Sequence, residues 1–314
     1  MNEQQDAEIE AARALTATTR RPTVEALEEV LHVPTRVLDH GFVRVVDYMG
    51  DDAAVVQAAR VSYGRGTRRL NEDRGLIRYL MRHWHTTPFE MCEIKLHVKL
   101  PIFVARQWIR HRTANVNEYS ARYSILDREF YIPEADQVAP QSLSNRQGRG
   151  ESAEEGFAQQ VRALLREDAE RGYERYLWLL NEEGDGHEPG RPGVARELAR
   201  VGLGLNAYTQ WYWKVDLHNL LGFLRLRADP HAQYEIRAYA EVILDLLRIW
   251  VPTVHEAFLE YQLGAVTLSA TAANLVRRAV AGERISFEGS GLSRREWEDL
   301  DSAIGVGRRD DVDQ

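Results

Sequence analysis

Cys92-Glu93-Ile94-Lys95-Leu96-His97-Val98-Lys99-Leu100-Pro101 is the stretch on which the reading of the fold turns. Cys92, Ile94, Leu96, Val98 and Leu100 alternate with Glu93, Lys95, His97 and Lys99 without exception. Successive strand residues point to opposite faces, so a period of two predicts a strand with one apolar and one polar face. Pro101 then stands where a helix accepts proline, at its first position. The apolar segment Ile102 to Ile109 continues from it and predicts a buried helix, with Val104 and Trp108 on its core face. Gln107, Arg110 and His111 share another face of that predicted helix by their spacing of three and four.

Toward the N-terminus, Leu76, Ile77, Leu80, Met81 and Trp84 recur at helical spacing between Asn71 and Trp84. Asp51-Asp52 is a good cap for a helix from Ala53 to Val61, and Phe42 to Asp47 reads as a strand. Pro34 and the turn at His40-Gly41 set off residues 1–36, an Ala-, Glu- and Arg-rich helix or loosely attached arm. Toward the C-terminus, residues 141–156 form a polar loop, and Phe157 to Asn181 and Val194 to Leu203 read as helices. Trp211, Trp213 and Val215 alternate with Tyr212, Lys214 and Asp216 as a second clear strand, followed by helices over His218 to Arg227 and Pro230 to Trp250. From Ser269 onward apolar density falls, and Arg308 to Asp311 reads as a frayed end. Helices and strands mix without regular alternation, so the fold class is α+β, a mixed or antiparallel sheet flanked by helices. The domain reading is an arm at 1–36, one main domain at 37–263, and a partly helical tail at 264–314.

A chain of 314 residues with 44% hydrophobic and 28% charged residues has material for a substantial core. Its apolar runs are short for a membrane span, and its first residues lack the order of a signal peptide. The single cysteine, Cys92, excludes an internal disulfide and fits a reducing cytoplasm. The net charge of −8 weighs against a protein that lives on nucleic acid. An acidic enzyme with a small anionic substrate must concentrate its arginines locally, and they gather here around 106–128 and 196–227.

Arg110-His111-Arg112 closes the apolar segment, and burial of such a triplet requires an anion. Asn115, Asn117, Glu118, Ser120 and Arg122 follow closely, all suited to hydrogen bonding. The run predicts a grip on something phosphorylated and polar. Gly202-Leu203-Gly204-Leu205-Asn206-Ala207 matches a loose dinucleotide pattern but lies between a predicted helix and a predicted strand, the wrong context. His83-Trp84-His85 sits at a helix end where the two rings should diverge, and it lacks a third ligand for zinc. Cys92 belongs to the apolar face of its strand and reads as packing rather than a nucleophile. Ser120 lacks a nucleophile elbow and, beside Arg122, suits phosphate binding. Arg225 and Arg227 are two residues apart on a helix, so at most one should face a common pocket.

Arg110-His111-Arg112, seven residues and then Ser120 resemble the signature of the flavin-dependent thymidylate synthases. His85-Thr86-Thr87-Pro88-Phe89-Glu90, Pro101 to Trp108, and Leu226-Arg227-Ala228-Asp229-Pro230-His231-Ala232-Gln233 agree in order, and the resemblance runs from roughly residue 37 to 263. It implies a single catalytic domain, a homotetramer with active sites shared among subunits, and FAD bound without a Rossmann fingerprint. The implied reaction is reductive methylation of dUMP to dTMP, with methylenetetrahydrofolate as one-carbon donor and NADPH reducing the flavin. Residue by residue, it implies Arg110, His111, Arg112 and Glu118 at the FAD, with Thr87 near its phosphates. Gln107, Arg110, Glu118, Ser120, Ala121, Arg122 and Arg200 are the implied dUMP ligands. Arg227 is implied to bind and activate the uracil, and His85 to border the flavin and folate stack as a further catalytic residue. Asp216 and His218 are also implied at the FAD, although some relatives carry Asn and Arg there, and Gly222 falls where a polar residue is common. The competing readings are a nucleic-acid-binding protein using the Arg110–Arg112 helix, and a metal-dependent phosphohydrolase using His83, His85 and His111. The latter lacks carboxylate ligands.

Overall fold

The computed structural model describes residues 3–61, 70–142, 148–184 and 186–305. The reading of Arg308 to Asp311 and the middle of the 141–156 loop lie outside the described residues. The chain divides into two compact units, Met1–Leu263 and Gly264–Gln314.

The first unit is built on a five-stranded sheet, antiparallel throughout. Its strands are β1 (Thr35–Val37), β2 (Gly41–Met49), β3 (Glu93–Pro101), β4 (Asn115–Glu118) and β5 (Tyr208–Asp216), in the order β1-β2-β3-β5-β4. The helices before β4 are α1 (Glu3–Ala14), α2 (Glu25–Glu28), α3 (Asp52–Val61), α4 (Leu70–Arg82), α5 (Thr87–Glu90) and α6 (Ile102–Trp108). After it come α7 (Glu155–Leu180), α8 (Arg196–Ala199), α9 (Leu217–Arg227), α10 (Tyr234–Trp250) and α11 (Pro252–Phe258).

The period of two in β3 is borne out. Ile94, Leu96, Val98 and Leu100 are buried beside Val43, Val45, Trp211, Trp213 and Val215, making one sheet face wholly apolar. Helices α6, α9 and α10 cover this face. Trp108 is fully buried, stacking on Phe223 at 4.6 Å between ring centroids and meeting Trp213 edge-on at 5.2 Å. Such arrangements add attraction beyond the area they bury. Gly41 is required by close approach, because a Cβ there would lie 2.0 Å from the Tyr239 hydroxyl. That hydroxyl instead donates to the Lys99 carbonyl at 2.7 Å, fastening α10 to β3.

Lys99 departs from the solvated face its alternation implies: it is only 2% exposed. Its ammonium pairs with Glu129 and lies 3.6 Å from Asp127, the compensation that a buried charge requires. The N-terminal segment also differs from a loose arm. Leu27 is fully buried, the Val24 N–H donates to the Tyr48 hydroxyl at 2.8 Å, and that hydroxyl donates to Glu28 at 2.5 Å.

The segment after β3 departs from its expected course in two ways. Pro101 is the extended residue before α6 rather than its first turn. The helix also stops at Trp108, so Arg110, His111 and Arg112 stand in the following turn and not on a helical face shared with Gln107. The physical cause is β4, which pairs with β5 from Asn115 opposite Lys214 to Glu118 opposite Trp211. The chain must reverse within a few residues to make that pairing, and a continuing helix would carry it away.

The second unit contains α12 (Ala270–Val280) and α13 (Arg294–Ile304), with Ala272, Leu275 and Leu300 forming a small core. Ser269 caps α12, and Ser293 with Glu296 forms a capping box on α13.

Candidate functional site

Two pockets of the first unit collect polar residues. The first, of about 530 Å³, surrounds the C-terminal end of α9, with Arg225, Arg227, Asp229, His231 and Gln233 on its wall and Gln107 reaching it from α6. Both arginines line it, against the expectation that at most one would. Helix α9 ends at Arg227, with Ala228 as its C-cap, and the pocket wraps its last turn rather than one face of its body.

Arg227 is the half-buried cation of this pocket. Its Nε–H donates to Nε2 of His111 at 3.3 Å, which requires an unprotonated Nε2 on that ring. Burial, then the Arg227 charge, pulls the His111 imidazole below its ordinary value, so the ring stays neutral. Burial likewise lowers Arg227 from its ordinary value, the mark of a cation partly stripped of water. Asp229 Oδ1, also in this lining, accepts from the His231 N–H at 2.7 Å, with Nδ1 of the same residue at 2.9 Å.

The second pocket, of about 390 Å³, lies at the far end of β4. Glu118, Ser120, Ala121 and Arg122 line it, facing Arg200 and Thr209. Ser120 Oγ accepts from the Arg122 N–H at 3.3 Å, curling the chain into a turn. Arg196 braces that turn from outside by binding both the Glu182 carboxylate and the Tyr123 carbonyl. The buried Thr209 hydroxyl donates to Glu118 Oε1 at 2.8 Å and fixes that carboxylate within the pocket.

The remaining residues singled out in the sequence are placed elsewhere. His85 is exposed in the turn between α4 and α5, and Thr87 is exposed as the first residue of α5. The rings of His83 and His85 do not diverge as expected. Both lie beside Tyr79, at 4.4 and 5.8 Å between centroids, because Trp84 takes a positive φ of 59° that folds the turn back. Trp84 meets the Arg225 guanidinium at 5.8 Å, linking this turn to the first pocket. Asp216 is the N-cap of α9, accepting from the Asn219 N–H at 2.9 Å, and His218 is half-buried in the first turn of that helix. Around a Cβ built on Gly222 there is open space.

Charge distribution ties the two pockets together. Arg74, Arg128 and Arg196 all pair with glutamates, as expected in an acidic protein. Among the described residues, Arg225 and Arg227 of the first pocket, Arg122 and Arg200 of the second, and the exposed Arg110 and Arg112 between α6 and β4 have no carboxylate partner. Cations left unpaired at pockets are suited to external anions. This donor set fits a dinucleotide cofactor and a nucleotide phosphate. Gln233, Asp229 and His231 had no role assigned from sequence, although they stand within the quoted block that ends at Gln233.

Residues 44–253 match the family model described as thymidylate synthase complementing protein. A flavin-dependent thymidylate synthase of Gluconobacter oxydans is 63% identical over 97% of this chain and 98% of the relative. Another from Ruegeria pomeroyi is 61% identical, covering 97% of this chain and 99% of the relative. Among solved structures, the UMP/dUMP methylase PolB of Streptomyces cacaoi bound with 5-Br dUMP aligns with a TM-score of 0.64 at 33% identity. That alignment covers 73% of this chain and 99% of PolB. With Ser120 of its signature lining one cation-bearing pocket and His111 hydrogen-bonded to Arg227 of the other, the chain belongs to the flavin-dependent thymidylate synthase family.

Proposed function

We propose that this protein converts dUMP to dTMP with bound FAD, using methylenetetrahydrofolate and NADPH as co-substrates. When bound, FAD supplies the hydride that NADPH provides, and the folate supplies the one-carbon unit. The observation that carries the reading is the pair of arginines without carboxylate partners at each of two pockets, Arg225 with the half-buried Arg227 at one and Arg122 with Arg200 at the other.

In this reading Gln107 and Arg227 meet the uracil, while Ser120, Ala121, Arg122 and Arg200 meet the phosphate. The guanidinium of Arg227 stands where the base becomes anionic. A fixed cation at developing charge lowers a barrier because it needs no reorganisation. His111, neutral and accepting from Arg227, limits the directions that the guanidinium can take. Arg110, His111, Arg112 and Glu118 hold FAD, with Thr87 toward its phosphates, His218 beside it and His85 at the edge of the stack. Asp216 acts on FAD through the helix it caps, because its carboxylate is occupied by Asn219. No enzyme nucleophile is required. Burial, followed by the charges of Asp51 and Asp52, pushes the Cys92 thiol up to about 12, leaving it protonated.

The nucleotide ligands Gln107 and Arg227 line one pocket, and Ser120, Ala121, Arg122 and Arg200 line the other. A complete site then joins the first pocket of one protomer to the second pocket of another, in a homotetramer working in the cytoplasm. The purified protein is expected to be yellow, to bleach with NADPH faster in the presence of dUMP, and to yield dTMP when folate is added. A colourless protein that binds no added FAD refutes the proposal.

A further inference from the structure

Glu235 is the most deeply buried carboxylate described, at 1% exposure, and nothing in the proposed chemistry uses it. Its oxygens gather donors from separate stretches of chain. The Tyr131 hydroxyl donates at 2.9 Å, Arg149 pairs through its guanidinium, and the Gln233 side-chain amide donates at 2.8 Å. Burial pushes the Glu235 carboxyl up, but Arg149 and Gln233 more than offset this and keep it ionised. A carboxylate this buried is costly to hold unless each donor is in place.

The consequence falls on Gln233. A free glutamine amide can turn over, exchanging its donor end for its acceptor end. Here Nε2 is committed to a carboxylate, and turning over would set Oε1 against that negative charge. The amide is therefore locked with Oε1 directed away from Glu235. Gln233 lines the first pocket, and among the described residues no donor meets its Oε1. The other polar groups there are of different kinds. Arg225 and Arg227 only donate, Asp229 is a carboxylate whose Oδ1 is taken up by His231, and among the described residues no hydrogen bond fixes the Gln107 amide.

We propose that Gln233 offers a fixed carbonyl acceptor to the ring imide N–H of a ligand in this pocket, and that Glu235 is the positioning residue that sets its direction. An imide edge presents a carbonyl, an N–H and a second carbonyl. An acceptor fixed beside guanidinium donors complements that order. Both the pyrimidine of dUMP and the flavin ring carry such an edge, so the inference rests on the function proposed above and leaves the source to experiment.

Glu235→Gln keeps the shape but allows the Gln233 amide to turn over. FAD binding is read by flavin fluorescence on the cofactor-stripped protein, and dUMP binding by calorimetry on the FAD-loaded protein. Glu235→Gln and Gln233→Ala are each expected to weaken one of these ligands about tenfold, the effect of one lost hydrogen bond. The double variant is expected to be no weaker than either single variant, because Glu235 acts through Gln233. Weakened FAD binding identifies the flavin as the imide, and weakened dUMP binding identifies the pyrimidine. Unchanged affinity for both ligands overturns the inference, as do losses that simply add. If Glu235→Gln does not fold, Gln233→Ala, at an exposed side chain, decides: unchanged binding of both ligands overturns the inference. A wild-type protein that binds neither ligand refutes the proposed function instead.

Discussion

Acid should weaken this fold through a single ring on the polar side of the sheet. His97 of β3 accepts from the Arg44 Nε–H at Nδ1 across 2.9 Å, which leaves the ring proton on Nε2, donated to Gln210 at 3.0 Å. Phe42 and Tyr212 enclose the ring, each 5.0 Å away between centroids. Protonation at Nδ1 would break the Arg44 hydrogen bond and set two positive charges against each other. Burial first, then Arg44, lowers the His97 pKa to about 4. The folded value lies below the unfolded value of about 6.5, so the folded state resists taking up the proton. The stabilisation is complete above about pH 6.5 and is lost as pH falls from there toward the folded pKa of about 4. Linkage then gives a loss of about 2 kcal/mol between pH 7 and pH 5, and about 3 kcal/mol over the whole window. Urea unfolding at fixed protein concentration measures this directly. His97→Gln can keep both hydrogen bonds without titrating, so its stability should fall less between pH 7 and pH 5 by about the same 2 kcal/mol. Equal pH dependence in the two proteins would mean that His97 does not carry the acid sensitivity.

Arg227→Ala should retain its fold and yellow colour but lose dTMP formation by about a hundredfold or more, as measured by single-turnover product yield. Cys92 should resist a thiol reagent in the folded protein and react once it is unfolded, and Cys92→Ser should remain active; rapid labelling of the native protein would contradict its burial. Trp108→Ala removes a fully buried ring that meets Trp211, Trp213, Phe223 and Tyr239, and should cost about 3–5 kcal/mol in denaturant unfolding.

Features that a local pattern records were legible in the chain before folding. The strict alternation from Cys92 to Leu100 identified β3 and its buried face, and Trp211, Trp213 and Val215 did the same for β5. The ordered blocks around Arg110–Arg112, Ser120 and Arg227 identified the family. These signals survive in one dimension because strand and helix periods are set by backbone geometry. Strand β4 was not legible: Asn115 to Glu118 has no apolar alternation, and only pairing with β5 makes it a strand. That pairing moved Arg110 and His111 off the helix and brought His111 to Arg227, a partner distant in sequence. The break of α9 at Ala228 placed Arg225 and Arg227 on one pocket where helical periodicity argued against it. The separation of Gln107 and Arg227 from Ser120, Ala121, Arg122 and Arg200 into two pockets, and the burial of Glu235 beside Gln233, were likewise decided only in three dimensions. Each depends on which distant segments meet, and that is fixed by the packing of the whole core rather than by any stretch of chain read alone.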